Sequence, residues 1–360
     1  MALTDQTPEL RTLYLYLTEG CNCACRHCWI VNDRQGDNTK PNTILSMDVL
    51  RTALEQALPL GLVSLKWTGG EPTFHPQFCD FLRLQHRFGL SAAIETNGML
   101  VTEKLAGLMV ETGINQVSVS LDSADAAIHD AIRGVKGGFG RTVAGIKALV
   151  SSGFRPELIL TLQRSNSDSL PEFFSLAEEL GAGSVKLNIL QPVLRGATLL
   201  VEGEALSVDE ILGIKDMIED MSEKKMTIPV KLDLPLAFRP LSRIMSGEDD
   251  GVCAIHNILG VLPHGEYALC GVGQHVPELS MGNVCSTSLE DIWRSHSVLQ
   301  YLRDGLPTKL KGICAKCLMQ SVCKGSCVAA NYQLSGDLLD SYWFCEQADA
   351  LGLFPALRRR

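Results

Sequence analysis

The stretch "TLYLYLTEGCNCACRHCW", residues 12–29, decides the fold, because an apolar strand runs directly into a loop that holds four cysteines. Residues 12–18 carry the aromatic and aliphatic side chains of a β-strand. Cys21, Cys25 and Cys28 follow with the spacing C-x3-C-x2-C, and Cys23 lies between the first two. In parallel α/β folds functional loops follow the carboxyl ends of strands, so this loop is predicted to belong to a functional site.

Strand and helix patterns alternate downstream of this loop for six repeats in all. Further strands are predicted at 64–69, 91–98, 116–122, 156–163 and 184–190, and helices at 46–58, 76–88, 102–113, 141–153 and 170–181. The strands are too apolar to expose one face to water, which predicts a parallel sheet covered by helices. Six repeats are fewer than a closed eight-stranded barrel requires, so we predict an α/β fold, a partial (β/α)6 TIM-like barrel.

Composition and charge limit the cellular location and the binding partners that can be expected of this protein. The chain has 360 residues and a net charge of −9, which argues against a nucleic-acid partner. The basic end, residues 358–360, is predicted to be a frayed terminus. The start of the chain lacks a secretory signal pattern and no run reaches the ~18 apolar residues of a membrane span, so we predict no membrane and a cytoplasmic location. Thiols stay reduced there, which favours metal binding over disulfides.

The cysteine triplet admits three interpretations. A zinc site usually takes four ligands in two separated pairs, and no second pair is near. A thioredoxin-like pair needs only Cys25 and Cys28 and leaves Cys21 without a role. Three thiolates on one loop can bind three irons of a [4Fe–4S] cluster, and the fourth iron then stays open for a substrate or cosubstrate. Cys23 is predicted to be a bystander on this loop.

Three further segments carry a family resemblance. They are "WTGGEP" at 67–72, "ETNG" at 95–98 and "SVSLDSADAAIHDAIRGVKGGFGRTVAGIKAL" at 118–149. Together with the cysteine triplet they resemble the motifs of radical S-adenosylmethionine (SAM) enzymes, over residues 12 to about 200. The resemblance implies that the open iron chelates SAM and that one electron cleaves it to a 5′-deoxyadenosyl radical, which abstracts hydrogen from the substrate.

The resemblance also implies the site residues, position by position. Cys21, Cys25 and Cys28 would ligate the cluster. Gly69, Gly70, Glu71 and Pro72 are expected to contact the amino group of SAM, and Thr96 and Asn97 to lie near its ribose and methionine. Ser120 and Asp122 are expected at the ribose or carboxylate, and Arg133 is expected to pair with the carboxylate. His27 is expected against the adenine, where the family usually has an aromatic residue.

The C-terminal cysteines form a second pattern. Seven of them, Cys253, Cys270, Cys314, Cys317, Cys323, Cys327 and Cys345, resemble the SPASM extension of some radical SAM enzymes, as does "MGNVCSTSLEDIWRS" at 281–295. A zinc ribbon is the alternative from the C-x2-C and C-x3-C pairs alone. The predicted organisation is therefore a radical SAM partial barrel at 1–205, a bridging helix and linker at 206–250, a small SPASM domain at 251–350 and a tail at 351–360.

The SPASM resemblance implies two auxiliary [4Fe–4S] clusters, and so three clusters in all. Cys314, Cys317, Cys323 and Cys345 would hold the outer one, and Cys253, Cys270 and Cys327 the inner one. No cysteine lies between Cys79 and Cys253, so the inner cluster is left with an open iron, which either Cys285 or a substrate thiolate could fill. Cys79 is predicted to be a small buried hydrophobic residue of a helix.

These features predict an oxidoreductase that modifies a ribosomally synthesised peptide, with a thioether crosslink at a cysteine as the specific hypothesis. The alternative within the family is modification of a tetrapyrrole or another small molecule, and the alternative from another class is a non-catalytic iron–sulfur electron carrier. Expected partners are a precursor peptide and an electron donor such as flavodoxin or ferredoxin. A separate leader-peptide recognition protein is a further option, because the first predicted strand begins almost at the N-terminus. The Asp and Glu residues give no basis for choosing a catalytic acid or base.

Overall fold

The computed structural model describes residues 7–30, 43–223, 226–246 and 252–360. The strands in these ranges are β1 Thr12–Tyr16, β2 Ser64–Thr68, β3 Ser91–Thr96, β4 Ile114–Ser120, β5 Glu157–Leu162, β6 Ser184–Ile189, β7 Val230–Leu232, β8 Ile258–Val261, β9 Glu266–Ala268 and β10 Ser280–Asn283. The domain boundary predicted near residue 250 falls on 247–251, outside the described residues.

The helices of the first two thirds of the chain cover the barrel strands. They are α1 Met47–Ala57, α2 Phe78–Arg87, α3 Glu103–Glu111, α4 Ala126–Arg133, α5 Gly138–Ser151, α6 Arg164–Ser167, α7 Leu170–Glu179, α8 Arg195–Val201, α9 Val208–Glu223 and α10 Leu241–Ser246. The C-terminal third adds α11 Leu289–Ser295, α12 Ser297–Gly305, α13 Gly312–Ala315, α14 Gln320–Cys323, α15 Val328–Ser335 and α16 Trp343–Ala350.

One ten-stranded sheet joins the whole molecule. Its order is β10-β9-β8-β1-β2-β3-β4-β5-β6-β7, and β1 to β7 are parallel with each strand beside its sequence neighbour. Successive strands joined by helices on one face curve into a partial barrel, because the twist of a parallel sheet bends it around its uncovered face. The predicted fold class is confirmed, with the barrel left open.

Local sequence signals explain where the covering helices begin. The Ser46 hydroxyl accepts a hydrogen bond from the backbone of Val49, as predicted for an N-cap of α1. Thr102 caps α3 in the same way, and the Asp125 carboxylate accepts two backbone N–H bonds at the start of α4. These caps satisfy backbone donors that the first helical turn leaves unpaired.

The two faces of the barrel strands differ in chemistry. Leu13 and Leu15 of β1 are fully buried beneath the helices, whereas Tyr14 faces the opposite side and is half-buried. The same alternation recurs on the next strands, where Leu65 and Trp67 pack into the helix-covered core. The other face forms the lumen of the barrel, and it carries charged side chains such as Lys66, Glu95 and Lys186. The lumen is therefore a chamber and the helix-covered layer is the core.

The C-terminal third continues the barrel sheet. Strand β8 pairs in parallel with the free edge of β1, and β9 and β10 extend it as an antiparallel hairpin. At the other edge β7, which lies in the segment predicted as a linker, pairs with β6. Sequence periodicity missed this strand because it is only three residues long.

The basic C-terminal end differs from the predicted frayed terminus. Arg359 forms a β-bridge with Cys317 and an ion pair with Asp349. The backbone N–H of Arg360 donates to the carbonyl of Lys316 at 2.8 Å. These bonds fix the end of the chain against the cysteine-rich region. Among the described residues no helix is long and apolar enough to cross a lipid bilayer.

Candidate active site

The cysteine loop after β1 is bound by backbone hydrogen bonds to the end of α4. The N–H groups of Ala24 and Arg26 donate to the carbonyls of Arg133 and Ile132, each at 2.9 Å. Gly134, in the left-handed region at φ 64°, ends that helix, and a Cβ there would lie 2.6 Å from the Ala24 carbonyl oxygen. The glycine is therefore needed both for the turn and for the contact with the cysteine loop.

The GGEP turn after β2 holds the same loop from the other side. The N–H of Gly70 donates to the Thr18 carbonyl at 2.8 Å, and the N–H of Glu71 donates to the Gly20 carbonyl at 2.9 Å. A Cβ on Gly70 would lie 2.3 Å from the Gly20 carbonyl oxygen. Glycine at position 70 thus allows the backbone of the turn to contact the backbone of the cysteine loop. The contact with SAM that is expected of Gly69, Gly70 and Pro72 stays a prediction.

The Glu71 side chain ties the ends of β2 and β3 together. It accepts hydrogen bonds from the Thr96 hydroxyl at 2.6 Å, from the Asn97 N–H at 2.8 Å and from Thr73. Only 1% of the residue is exposed, and burial raises the pKa of its carboxyl. Asn97 in turn donates its side-chain amide to Asn22 of the cysteine loop at 2.6 Å. The two predicted strand-end motifs therefore meet at the loop.

Arg133 and Asp122 form a buried ion pair beneath the loop. The Arg133 Nε lies 2.6 Å from the Asp122 Oδ2, and Asp122 is fully buried. Burial acts to raise the pKa of Asp122, yet the charges of Arg133 and His27 and a hydrogen bond from the Thr161 N–H together hold the pKa below its ordinary value. Arg133 also donates to the Cys25 Sγ at 3.6 Å. Arg133 therefore contacts a cysteine of the triplet, and its pairing with the SAM carboxylate stays a prediction.

The three cysteines of the triplet lie in unequal environments. A hydrogen bond from the Cys23 thiol, aided by Arg133, lowers the pKa of Cys25 to about 5 against the effect of burial. Burial raises the pKa of Cys28 to about 11. Cys23 bonds to the side chains of both Cys21 and Cys25, so it is a close neighbour of the triplet. Metal binding replaces the protons of such thiols.

Three thiolates on one loop are a donor set that fits an iron–sulfur cluster. Within the described ranges, no three Cys, His, Asp or Glu side chains stand close enough to hold one metal ion. Thiolates of a [4Fe–4S] cluster each bind a different iron and so stand farther apart. The single-zinc and redox-pair interpretations do not account for a triplet arranged in this way.

His27 and Gln163 face each other beside the loop. The Gln163 amide nitrogen donates to the His27 Nδ1 at 3.2 Å, and burial lowers the pKa of His27, which keeps the ring neutral. The buried Gln163 Oε1 has no hydrogen-bond partner among the described residues. A buried acceptor without a partner indicates a missing ligand, here at the position predicted for the adenine. The sequence analysis overlooked Gln163, although its place directly after β5 was a usable signal.

Ser120 and Asp122 lie at and just beyond the end of β4, on the loop side of the barrel. Ser120 is half-buried, and the Asp122 Oδ1 accepts a hydrogen bond from the Thr161 N–H of β5 at 3.0 Å. The Asp122 N–H donates to the His129 Nδ1 at 3.2 Å. All ten residues expected to contact SAM thus surround the same end of the strands, although their roles stay predictions.

Four C-terminal cysteines line one small cavity. Cys314, Cys317, Cys323 and Cys345 face it together with apolar side chains such as Ile313 and Phe354. A hydrogen bond between the thiols of Cys314 and Cys345 joins the two that are farthest apart in sequence. The structure brings together the set predicted for the outer cluster.

The set predicted for the inner cluster lies at the lumen. Burial raises the pKa values of Cys253 and Cys270 to about 12, and each is raised further by its charge interaction with Cys327. The Cys270 Cα packs 3.1 Å from the Cβ position of Gly260, which pairs with Tyr14 of β1. This is the face of the sheet that carries the Tyr14 side chain, with which Cys253 and Cys270 interact by charge.

Two remaining cysteines lie elsewhere. Cys285 is exposed on the turn after β10, at the opposite end of the β9–β10 hairpin from Cys270. The structure therefore does not favour Cys285 as the fourth ligand of the inner cluster. Cys79 is exposed on α2 and not buried as predicted, because the apolar stripe of that helix passes through Phe78, Phe81 and Leu82.

Ion pairs line the chamber between the cysteine sets. Lys66 of β2 pairs with Glu95 of β3 at 2.5 Å and lies 5.0 Å from the centre of the Tyr14 ring. Lys186 of β6 pairs with Asp233 at 3.5 Å. Sequence patterning missed Lys66, Glu95 and Lys186 because each lies inside a strand that was expected to be apolar. They give the chamber fixed charges that can orient a polar substrate.

Comparison with known proteins defines the class. The Radical SAM superfamily profile matches residues 15–177, and the SPASM iron–sulfur cluster-binding domain matches residues 253–318. The AdoMet-dependent heme synthase of Methanosarcina barkeri is 30% identical, over 91% of this chain and 94% of its own. This chain belongs to the radical SAM superfamily.

Two further proteins match most of this chain, one by sequence and one by structure. The mycofactocin maturase MftC of Mycobacterium tuberculosis is 26% identical, over 88% of this chain and 78% of its own. The structure of Streptococcus suis SuiB bound to the precursor peptide SuiA superposes with a TM-score of 0.73 at 16% identity, over 94% of this chain and 76% of SuiB. SuiB has also been solved with S-adenosylmethionine.

These findings confirm the predicted class and cofactors. The chain is an enzyme of the radical SAM type that uses S-adenosylmethionine and iron–sulfur clusters, and it carries a SPASM domain. The alternative of a non-catalytic electron carrier is wrong, because the relatives are named as synthases and maturases. The number of clusters and the ligands of each stay predictions.

Proposed function

We propose that this enzyme oxidises a ribosomally synthesised peptide, and that a cysteine thiolate of the peptide binds the inner auxiliary cluster and becomes a thioether. The observation that carries the proposal is the inner set of three cysteines, Cys253, Cys270 and Cys327, whose charges interact, with Cys253 and Cys270 also acting on Tyr14 of the lumen face. All thirteen cysteines of the chain lie in the described ranges, and Cys285, the alternative fourth ligand, is exposed at the far end of the β9–β10 hairpin. A thiolate is the ligand that an open iron takes most readily.

The residues of this chain would divide the work between the two ends of the chamber. Cys21, Cys25 and Cys28 would hold the cluster that, when bound, reduces SAM and supplies a 5′-deoxyadenosyl radical. Arg133, held in place by Asp122, would donate a hydrogen bond to the Cys25 Sγ and fix its loop. Lys66 and Glu95, halfway along the chamber, would orient polar groups of the peptide backbone by charge and hydrogen bonding.

The proposed reaction balances without a further oxidant. The peptide C–H loses a hydrogen atom to the 5′-deoxyadenosyl radical, and the peptide thiol loses its proton to solvent. The C–S bond would then form as one electron passes to the auxiliary clusters and replaces the electron that SAM cleavage takes up, so that SAM is the net oxidant. SAM is consumed as methionine and 5′-deoxyadenosine, and the peptide loses two hydrogens.

A second candidate, oxidation of a tetrapyrrole, is favoured by one observation. The heme synthase of M. barkeri is 30% identical over nearly the full length of both chains. The cationic groups of the chamber, Lys66 and Lys186, suit carboxylate side chains of a tetrapyrrole as well as those of a peptide. The support for the peptide comes from MftC, named as a maturase, and from SuiB, which was solved with its precursor peptide.

Mass spectrometry separates the candidates. Anaerobically reconstituted enzyme is incubated with SAM, a one-electron reductant and either cysteine-bearing peptides encoded beside the gene or an iron tetrapyrrole with carboxylate side chains. The peptide proposal expects 5′-deoxyadenosine together with a peptide that is two hydrogens lighter and resists thiol alkylation. A modified tetrapyrrole with unchanged peptides overturns it.

Variants at the inner set test the role of the open iron. Cys253→Ala is expected to abolish the peptide product while SAM cleavage continues, because the SAM-binding loop does not contain this residue. Cys285→Ala is the matched control, since that cysteine is exposed and lies at the far end of the hairpin. Normal product formation by Cys253→Ala would remove the inner set from the reaction.

A further inference from the structure

Two aromatic rings join the SAM-binding cysteine loop to the inner auxiliary set. Trp29 directly follows Cys28, and Gly271 directly follows Cys270. A Cβ on Gly271 would lie 2.3 Å from the Trp29 Cη2 and 2.4 Å from the Tyr16 Cε1. Gly271 does not have a positive φ, so its backbone imposes no need for glycine. The two rings themselves exclude a side chain at this position.

The two rings meet directly, with Tyr16 on the buried side and Trp29 40% exposed. Tyr16 of β1 is 3% exposed and meets Trp29 edge-to-face, with ring centroids 6.1 Å apart. The Gly271 backbone N–H donates to the Tyr16 hydroxyl. Tyr16 also belongs to a small apolar cluster, separate from the main core, that joins residues of both cysteine-bearing segments: Ile30 and Cys28 from the SAM loop, and Leu262 and Ala268 from the β8–β9 hairpin.

We infer that Tyr16 and Trp29 form an aromatic bridge that carries single electrons between the SAM-binding cluster and the inner auxiliary cluster. The inference rests on the proposed cluster positions and deepens them by naming the connection. An electron passes between redox centres far faster through packed atoms than across a gap, and here each ring contacts the backbone beside a proposed ligand. In each transfer one cluster loses one electron, the other gains it, and no proton moves.

The bridge would provide a route by which an electron returns from the inner cluster to the SAM-binding cluster. The oxidised substrate delivers one electron at the inner set, and the SAM-binding cluster requires one electron for each SAM it cleaves. Transfer through Tyr16 and Trp29 would let the same electron serve successive turnovers. The external donor would then be needed to start the cycle and not for every turnover.

The test follows electron redistribution and not product. Full-length enzyme is loaded with iron and sulfide, and a photoreductant injects one electron per molecule in the absence of SAM. Rapid freeze-quench EPR then records the exchange between the clusters. Reference spectra come from one variant without the SAM-loop ligands (C21A/C25A/C28A) and one without the inner ligands (C253A/C270A/C327A). Trp29→Leu and Gly271→Ala are each expected to slow redistribution at least tenfold at unchanged iron content.

Two controls separate electron transfer from packing. Trp29→Phe keeps an aromatic ring and is expected to retain most of the wild-type rate. Trp343→Leu removes a tryptophan near the outer ligand Cys345, away from the bridge, and is expected to leave the rate unchanged. Wild-type redistribution in Trp29→Leu and in Gly271→Ala, with full iron content, overturns the bridge. Missing iron in the SAM loop of the wild type would instead count against the proposed cluster positions.

Discussion

The SAM-binding loop and the outer auxiliary set bring their cysteines together in different ways. The loop takes its three cysteines from eight consecutive residues and is anchored by backbone bonds to α4 and to the GGEP turn. The outer set collects Cys314 to Cys345 across short helices, around a cavity. The first site is built on the strands of the barrel, whereas we predict that the second depends on a bound cluster to hold its short helices together.

We therefore expect that loss of a cysteine ligand abolishes SAM cleavage at the loop after β1, whereas it unfolds the C-terminal region at the outer set. Cys25→Ala is expected to reduce SAM cleavage to the level of a blank, because the loop can no longer hold its cluster, while the barrel keeps its fold. The measurement is 5′-deoxyadenosine by mass spectrometry, with circular dichroism for the fold. Cys79→Ala, on the exposed face of α2, is the control. Normal cleavage by Cys25→Ala would show that the loop is not the SAM-binding site.

Cys345→Ala should show the opposite behaviour. Removing this ligand is expected to cost the C-terminal region about 4 kcal/mol or more of unfolding free energy, the size typical of a lost metal site. Anaerobic hydrogen exchange should then rise in residues 310–350 and stay low in β2 to β5. Cys285→Ala should leave both regions protected. Equal exchange in the variant and the wild type would show that packing alone supports this region.

Overpacking at the GGEP turn should sharpen the contrast further. Gly70→Ala puts a methyl group 2.3 Å from the Gly20 carbonyl oxygen and is expected to cost about 1–3 kcal/mol. The displaced loop should also hold less iron, as measured by metal analysis. Gly107→Ala in α3 is the control, because nothing lies within 4 Å of its Cβ and alanine favours a helix. Full iron content in Gly70→Ala would contradict the loop contact.

The smallest expected effect is a pH dependence confined to the barrel. Burial, followed by the charge of Arg133, lowers the pKa of His129 to about 4, below its ordinary value near 6.5. The unfolded chain therefore binds the proton first, and stability falls as pH drops. Between pH 7 and pH 5.5 the loss should be about 1 kcal/mol. His129→Asn keeps an acceptor for the Asp122 N–H and should reduce this loss of stability, as measured by urea unfolding at several pH values. If the unfolding free energy of the variant depends on pH as in the wild type, another group causes the loss.

The sequence predicts the barrel well because its signals are local. The six barrel strands lie within two residues of their predicted ends, since apolar runs, caps and glycines each act over a few residues. Strand β7 and the pairing of β8 with β1 escaped prediction, because short strands leave no period and pairing across more than two hundred residues leaves no local mark.

The candidate site shows the same limit. The SAM-loop cysteines form a motif visible in the sequence, whereas the chamber pair Lys66 and Glu95 depends on which face of a strand turns inward. The partner of Arg133 was likewise hidden, because Asp122 lies eleven positions away and meets it only when β4 and α4 pack together. Side-chain partners are a property of tertiary packing, and residue order alone does not encode them plainly.

The pairing of β8 with β1 has a consequence for how the two regions can be separated. Without the C-terminal third, the first strand of the barrel would present a bare row of backbone donors and acceptors to solvent. Such an edge recruits strands from other molecules, so an isolated barrel would tend to aggregate. By covering this edge, the SPASM region also helps to keep the barrel soluble. A related protein without this region would need another element to cover the edge of β1.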